Sequence, residues 1–174
     1  MKPEEKAREH IDELLTSAGW AIQNYAEIVL GTAVGIAVRV FPLKKGFADY
    51  ILFIDRQAVG AIEAKAEGML LSQAAEQDDK YILTLPEKIP HVKDPLPFAY
   101  ESTGIETYFR DTRDPNTRSR RIFAFHKPET LHEMLKNDKT LRNRLKELPS
   151  LIKDRLRECQ VEAIKNLENS LSES

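Results

Sequence analysis

The sequence predicts an α/β fold, a mixed β-sheet flanked by helices, with a helical extension at its C-terminal end. Three observations carry this. Short runs rich in β-branched and aromatic residues, such as "VGIAVRVF" and "YILFI", alternate with longer segments of helical character. Two of the apolar runs are separated by only "DRQ", the spacing of a hairpin. Pro149 divides this body from a last segment that is amphipathic and heavily charged.

Taken in order, residues 3–18 form a helix with proline and acids in its first turn, Ile11, Leu14 and Leu15 as its apolar stripe, and Gly19 as its stop. Residues 26–30 and 35–41 are extended. Residues 48–54 and 58–65 are paired strands. Residues 69–85, "MLLSQAAEQDDKYILTL", form a helix closed by Pro86, and a proline-broken loop follows. Short strands near 97–101 and 121–126 bracket "YFRDTRDPNTRSRR". Small helices near 128–137 and 139–147 precede Pro149, which makes 1–148 one domain and 149–174 a helical linker, with residues 151–171 as its helix. Trp20, directly after the helix stop, belongs to the core.

Composition narrows the class. The 174 residues include 41% hydrophobic and 31% charged side chains, the balance of a globular domain rather than a disordered chain. A net charge of −2 means that any binding of nucleic acid must come from a local basic patch. The only cysteine, Cys159, excludes an internal disulfide and suits a reducing cytosol. No two of the four histidines have zinc-ligand spacing, and the apolar runs are too short to span a bilayer. A cytoplasmic protein with no membrane partner is expected.

The segment "FADYILFIDRQAVGAIEAKAEG" holds the chemistry. Alternation along the second strand places Val59, Ala61, Glu63 and Lys65 on one face. Asp49 across the hairpin would then bring two carboxylates and an amine to one edge of the sheet. Two carboxylates and a main-chain carbonyl are a hard-oxygen site for Mg²⁺ or Mn²⁺. A neighbouring ammonium can stabilise a transferring phosphoryl group. Gln73, Gln77 and Tyr81 recur at four-residue intervals on one stripe of the next helix. The bland reading is a solvated Glu63–Lys65 ion pair with Asp49 as a turn residue.

These residues carry a family resemblance. "ADYILFIDRQAVGAIEAK" resembles the PD-(D/E)XK nuclease core, with Ala48 standing at the proline position, and "QDDKY" is similar to the Gln-X-X-X-Tyr motif of its helicase-associated branch. Together with "AREHIDELLTSAGW", "YESTGIETYFRDTRDPNTRSRRIFAFHKPETL" and "LRECQVEAI", they make residues 3–167 resemble the N-terminal part of the restriction (R) subunit of type I restriction enzymes. The resemblance implies a restriction-endonuclease-like fold in which Asp49 and Glu63 hold the metal. Lys65 would offset phosphoryl charge, and Gln77 and Tyr81 would orient the DNA backbone or the Lys65 end of the site. A first-helix glutamate adds a metal ligand in some relatives; Glu5 and Glu9 could do so here, or simply face solvent. The chain has no phosphate-binding loop of the G-X-X-X-X-G-K-[ST] form. It looks cut just before a superfamily 2 motor, whose adenine-reading glutamine Gln160 would match, so ATP would bind only the full-length protein. Methyltransferase and specificity subunits would select double-stranded DNA.

Lys44, Lys45, Arg113, Arg118, Arg120 and Arg121 are candidate phosphate contacts, with Arg110 beside them; the alternative is a solvated loop paired with Asp111 and Asp114. Tyr108 and Phe109 could stack on a base or pack in the core. Two other functions stay open: a stand-alone or repair nuclease of the same superfamily, and a DNA-binding or docking module with an inactive site.

Overall fold

A computed structural model describes residues 3–69, 71 and 85–173. Helix α1 spans Pro3–Ser17. It ends where Gly19 takes a φ of +92°, a conformation open to glycine, and the amides of Gly19 and Trp20 return to the carbonyls of Thr16 and Leu15 at 3.0 Å each. Seven strands follow: β1 Ala21–Asn24, β2 Gly35–Pro42, β3 Phe47–Ile54, β4 Gln57–Ala64, β5 Phe98–Ser102, β6 Thr107–Asp111 and β7 Arg120–Ile122. They lie side by side in chain order. The β1–β2 and β4–β5 pairs are parallel and the other four antiparallel, so the sheet is mixed, as expected. Among the described residues, helices α2 (Pro128–Lys136), α3 (Leu141–Lys146) and α4 (Glu158–Glu173) follow the sheet. Among the described residues no helix is long and apolar enough to cross a membrane.

Apolar side chains line both faces. On one, Ile11, Leu15, Trp20, Tyr50, Leu52, Ile62, Phe98, Tyr100 and Leu131 form a layer under α1 and α2. Ile36, Val38, Phe41, Ile51, Phe53, Ala61, Leu85 and Leu96 form the other. Ile11 and Leu15 are fully buried. Each such side chain contributes roughly 1.5–3 kcal/mol, so packing rather than helix propensity fixes α1 against the sheet. Trp20 lies in this core, and its indole N–H donates to the carbonyl of His126 at 2.9 Å.

The β3–β4 hairpin turns on Asp55 and Arg56, with φ of +48° and +67°. Two central residues of positive φ match the right-handed twist of the strands they join. Its register shifts between Leu52 and Phe53, opposite Val59. That bulge corrects the expected face assignment: Val59 packs in the layer under α1 with Ile62, whereas Ala61 belongs to the opposite layer. Beyond the bulge β4 lies tightly on β5. A Cβ on Gly60 would stand 2.5 Å from the carbonyl oxygen of Phe98, so the close approach requires glycine.

Several boundaries differ from expectation. The first strand is Ala21–Asn24 rather than 26–30. There the Gln23 side chain bonds both the amide and the carbonyl of Val29, which folds the chain into a short helical turn at Tyr25–Glu27 and a loop. The arginine-rich stretch contains a strand, β6, because Asp111 is buried against Arg113 instead of marking a loop. Strand β7 stops at Ile122 rather than continuing to residue 126. The last helix begins at Glu158, seven residues later than expected. Gln160 accepts a hydrogen bond from the Arg157 amide at 2.9 Å, a side chain of the first turn satisfying the amide just before it. The helix expected over 69–85 falls almost wholly outside the described residues, as do Gln73, Gln77 and Tyr81.

Candidate active site

The strand pairings place the start of β3, the ends of β4 and β5 and the start of β6 at one end of the sheet. Asp49 sits there, mostly buried, with both carboxylate oxygens engaged. Oδ2 accepts the Ala64 amide at 2.9 Å, and Oδ1 accepts Nε of Arg8 at 2.9 Å and lies 2.5 Å from Nη2. The bond to Ala64 ties Asp49 to the residue between Glu63 and Lys65, so the link across the hairpin runs through the main chain of β4.

Glu63 is ion-paired with the ammonium of Lys65, and both are mostly shielded from water. The Lys65 amide donates to the Ser102 carbonyl at 2.9 Å, which continues the β4–β5 pairing one residue past the strand. In that parallel pairing Glu63 lies in register with Glu101, so a third carboxylate occupies the adjacent strand at the same level. Among the described residues there is no group of three or more His, Cys, Asp or Glu arranged to hold a metal ion. Asp49 and Glu63 are the carboxylates that could hold an ion at this strand end, with main-chain oxygen and water completing its shell. Mg²⁺, which keeps several waters, commonly uses only one or two carboxylates.

Arg8 is the residue that sequence reasoning missed. A network across α1 holds it in place. The buried hydroxyl of Tyr50 donates to Asp12 Oδ1 at 2.8 Å and reaches the Arg8 carbonyl at 3.1 Å. Arg39 on β2 grips both oxygens of Asp12, at 3.1 and 2.5 Å. Burial, reinforced by the Asp12 carboxylate, holds the Tyr50 phenol far above its ordinary pKa, so it stays a neutral donor. Arg39 is raised as well, chiefly by its hydrogen bond to Asp12. The available signal was the four-residue spacing of Arg8 and Asp12, which puts both on one helix face with Ile11 and Leu15 close by. Glu5 and Glu9, the expected candidates on α1, are exposed.

The basic candidates divide between the two ends of the sheet. Lys44 and Lys45 occupy the exposed β2–β3 turn at the Asp49 end, where Lys44 pairs with Glu87 at 3.1 Å. Arg121 pairs with Glu106, also toward that end. Arg113 lies at the opposite end and is built into the fold. It takes both oxygens of Asp111, donates to the Met134 carbonyl at 3.0 Å and stacks over Phe98. Arg118 is exposed in the same far loop, and Arg120 approaches Asp114 at 3.5 Å. The arginine-rich loop is therefore not beside the carboxylates, because Asp111 pairs with the first residue of β5 and Ser102 with the last. Arg110 and Tyr108 are half-buried on β6. Phe109 packs between Phe98, Tyr100 and His126, so the core reading holds for it. Gln160 stands in the first turn of α4, capping the Arg157 amide.

Comparisons with known proteins agree with the resemblance drawn from the sequence. The chain is similar to the endonuclease subunit of the type I restriction enzyme EcoKI of Escherichia coli K12. The two are 24% identical over 219 aligned positions, which cover 97% of this chain and 19% of that subunit. It shares its fold with a solved fragment described as an HsdR subunit of a type I restriction enzyme from Vibrio vulnificus YJ016. There the TM-score is 0.52 and the identity 19%, over 98% of this chain and 33% of that one. The chain thus spans about a fifth of the curated subunit and a third of the solved fragment. No family model matches it.

Proposed function

We propose that this chain is the nuclease-bearing N-terminal region of a type I restriction enzyme R subunit, hydrolysing DNA phosphodiester bonds in a PD-(D/E)XK site. The observation that carries the proposal is the bond from the Ala64 amide to Asp49, which joins Asp49 to the Glu63–Lys65 strand end. The match to the EcoKI endonuclease subunit over nearly the whole chain supports the same reading.

The residues present fit a divalent ion. Asp49 and Glu63 offer hard carboxylate oxygens, and two cations, Arg8 and Lys65, now balance their two charges. Bound at Asp49 and Glu63, Mg²⁺ or Mn²⁺ would supply Lewis-acid activation of the scissile phosphate and of an attacking water. Lys65 would neutralise charge developing on the phosphoryl oxygens once Glu63 turns to the ion. Gln77 and Tyr81 would orient the DNA backbone. Lys44 and Lys45, at the same end of the sheet, would contact flanking phosphates, and Arg121 would do so from β7. Motor, methyltransferase and specificity functions would lie outside this chain, with Gln160 at the edge of an ATP-binding motor. A second reading, a docking module with a silent site, draws on the Arg8–Asp49 pair, which occupies a carboxylate the chemistry needs.

The deciding experiment uses Lys65→Ala in the assembled, ATP-supplied enzyme. Double-strand cleavage should be lost while ATP hydrolysis continues. A variant that still makes double-strand breaks would leave Glu63–Lys65 as a structural ion pair.

A further inference from the structure

A concavity of 290 Å³ opens at the other end of β6 from the carboxylates, between the loop after Asp111, the end of α2 and helix α3. Asp111 and Asp114 line it together with Arg113, Arg120, Arg142 and Arg144, and Lys139 stands at its rim. Five cations therefore face two carboxylates. Glu147 takes Lys139 at 2.5 Å, and Arg113 is matched to Asp111. Arg120 and Arg142 both approach Oδ2 of the buried Asp114, at 3.5 and 3.3 Å, and Arg120 also donates to the Arg118 carbonyl at 3.2 Å. The Arg120 guanidinium is more acidic than usual, first through burial and next through its neighbour Arg142, with Asp114 acting in the opposite sense. Arg144 adds a third guanidinium from the same short helix. Both Arg120 and Arg142 line the cavity and keep about a quarter of their side-chain surface exposed.

We infer that this pocket binds a phosphate group, gripped by the guanidinium forks of Arg120, Arg142 and Arg144 over Asp114. Guanidinium forks match the oxygen spacing of phosphate, and a tetrahedral dianion is attracted by the cations that line the cavity. Asp114 fixes the arginines so that little side-chain entropy is lost on binding. The site is separate from the carboxylate centre: β5 and β6 are five residues long, so at a strand rise of ~3.3 Å the two lie about 13 Å apart along the sheet. The phosphate could be free or a link in a nucleic-acid backbone, since the oxyanion chemistry is the same.

The test titrates inorganic phosphate into the 174-residue chain in low-chloride buffer containing EDTA, followed by calorimetry and thermal denaturation. Chelation makes the result independent of any metal at Asp49, so failure of this pocket and failure of the nuclease reading are separable. Wild type should bind at one saturable site and melt at higher temperature as phosphate rises. Arg142→Gln/Arg144→Gln should weaken binding by about tenfold or more. Arg144→Gln alone, which breaks no ion pair described above, guards against loss of folding and should also weaken it. Arg142→Lys, which keeps the charge but not the fork, should bind between the two extremes. Repeating the titration with saturating short duplex DNA assigns the source. Loss of the phosphate isotherm marks a backbone-phosphate site, and its persistence marks a free-phosphate site. Absence of saturable binding by wild type, or equal binding by a folded double variant, would overturn the inference.

Discussion

Replacing Arg8 by methionine removes the guanidinium from Asp49 while keeping the length of the side chain that lies along α1. Two opposing effects follow from the geometry. Without metal, Asp49 loses a two-point contact and keeps only the Ala64 amide. Hydrogen bonds to charged groups contribute about 1.5–3 kcal/mol, whereas exposed ion pairs give about 0–1. The Arg8 side chain is 39% exposed and Asp49 17%, which places the pair near the lower bracket, about 1 kcal/mol. For a chain of this size that lowers the melting temperature by about 2–4 °C. The helix should stay seated, because Tyr50 reaches the Arg8 main-chain carbonyl and Ile11 and Leu15 remain buried. With metal the sign reverses. An ion at Asp49 must displace Arg8, so deleting Arg8 removes a cost of the same size and tightens Mn²⁺ binding about fivefold. Calorimetry of wild type and Arg8→Met, with Asp49→Ala/Glu63→Ala as the blank, measures this directly. A folded Arg8→Met protein that binds Mn²⁺ no better than wild type would refute the idea that guanidinium and metal compete for one carboxylate.

Two further outcomes concern the scaffold. Gly60→Ala puts a methyl 2.5 Å from the Phe98 carbonyl oxygen, forcing β4 from β5 beside the site; a loss of about 1–3 kcal/mol is expected in urea unfolding, and an unchanged midpoint would show that the strands yield freely. Burial lowers the pKa of His126, whose ring nitrogen lies 2.9 Å from the Tyr100 hydroxyl. The unfolded chain then takes up the proton first. The stability that His126 contributes is present above its unfolded value of about 6.5 and is lost as pH falls below it. His126→Gln should flatten the stability profile below pH ~6.5, and an equally steep acid limb in that variant would assign the loss to other groups.

Where local pattern and global packing agree, the sequence is easy to read. The β3–β4 hairpin is legible because its strands are largely apolar and only "DRQ" separates the two runs, so Asp49, Glu63 and Lys65 stand out against their surroundings. Strand β6 is hidden because its last residue is a buried aspartate whose charge is cancelled by Arg113, a partner two residues on that only the fold makes a burial contact. The face of Val59 is misread because alternation assumes an unbroken ladder, and a bulge leaves no mark in the composition of the strand. Arg8 is missed for a different reason. Its partner lies 41 residues away, and the four-residue spacing that puts Arg8 and Asp12 on one helix face does not say that this face meets a sheet end. The start of α4 turns on one side-chain bond, from Gln160, that competes with an otherwise helical periodicity.

The sheet's two borders bear on how this molecule behaves in company. β1 has four residues and β7 three, and β7 carries Arg120 and Arg121. An unpaired strand edge invites another chain to extend the ladder, and short edges bearing like charges discourage it. A second copy aligning on β7 would bring its own Arg120 and Arg121 against the two already in place. Self-association through continuous β-structure is thus disfavoured at that border even when the protein is concentrated. Neutralising both arginines would make β7 the place where oligomers or fibrils begin.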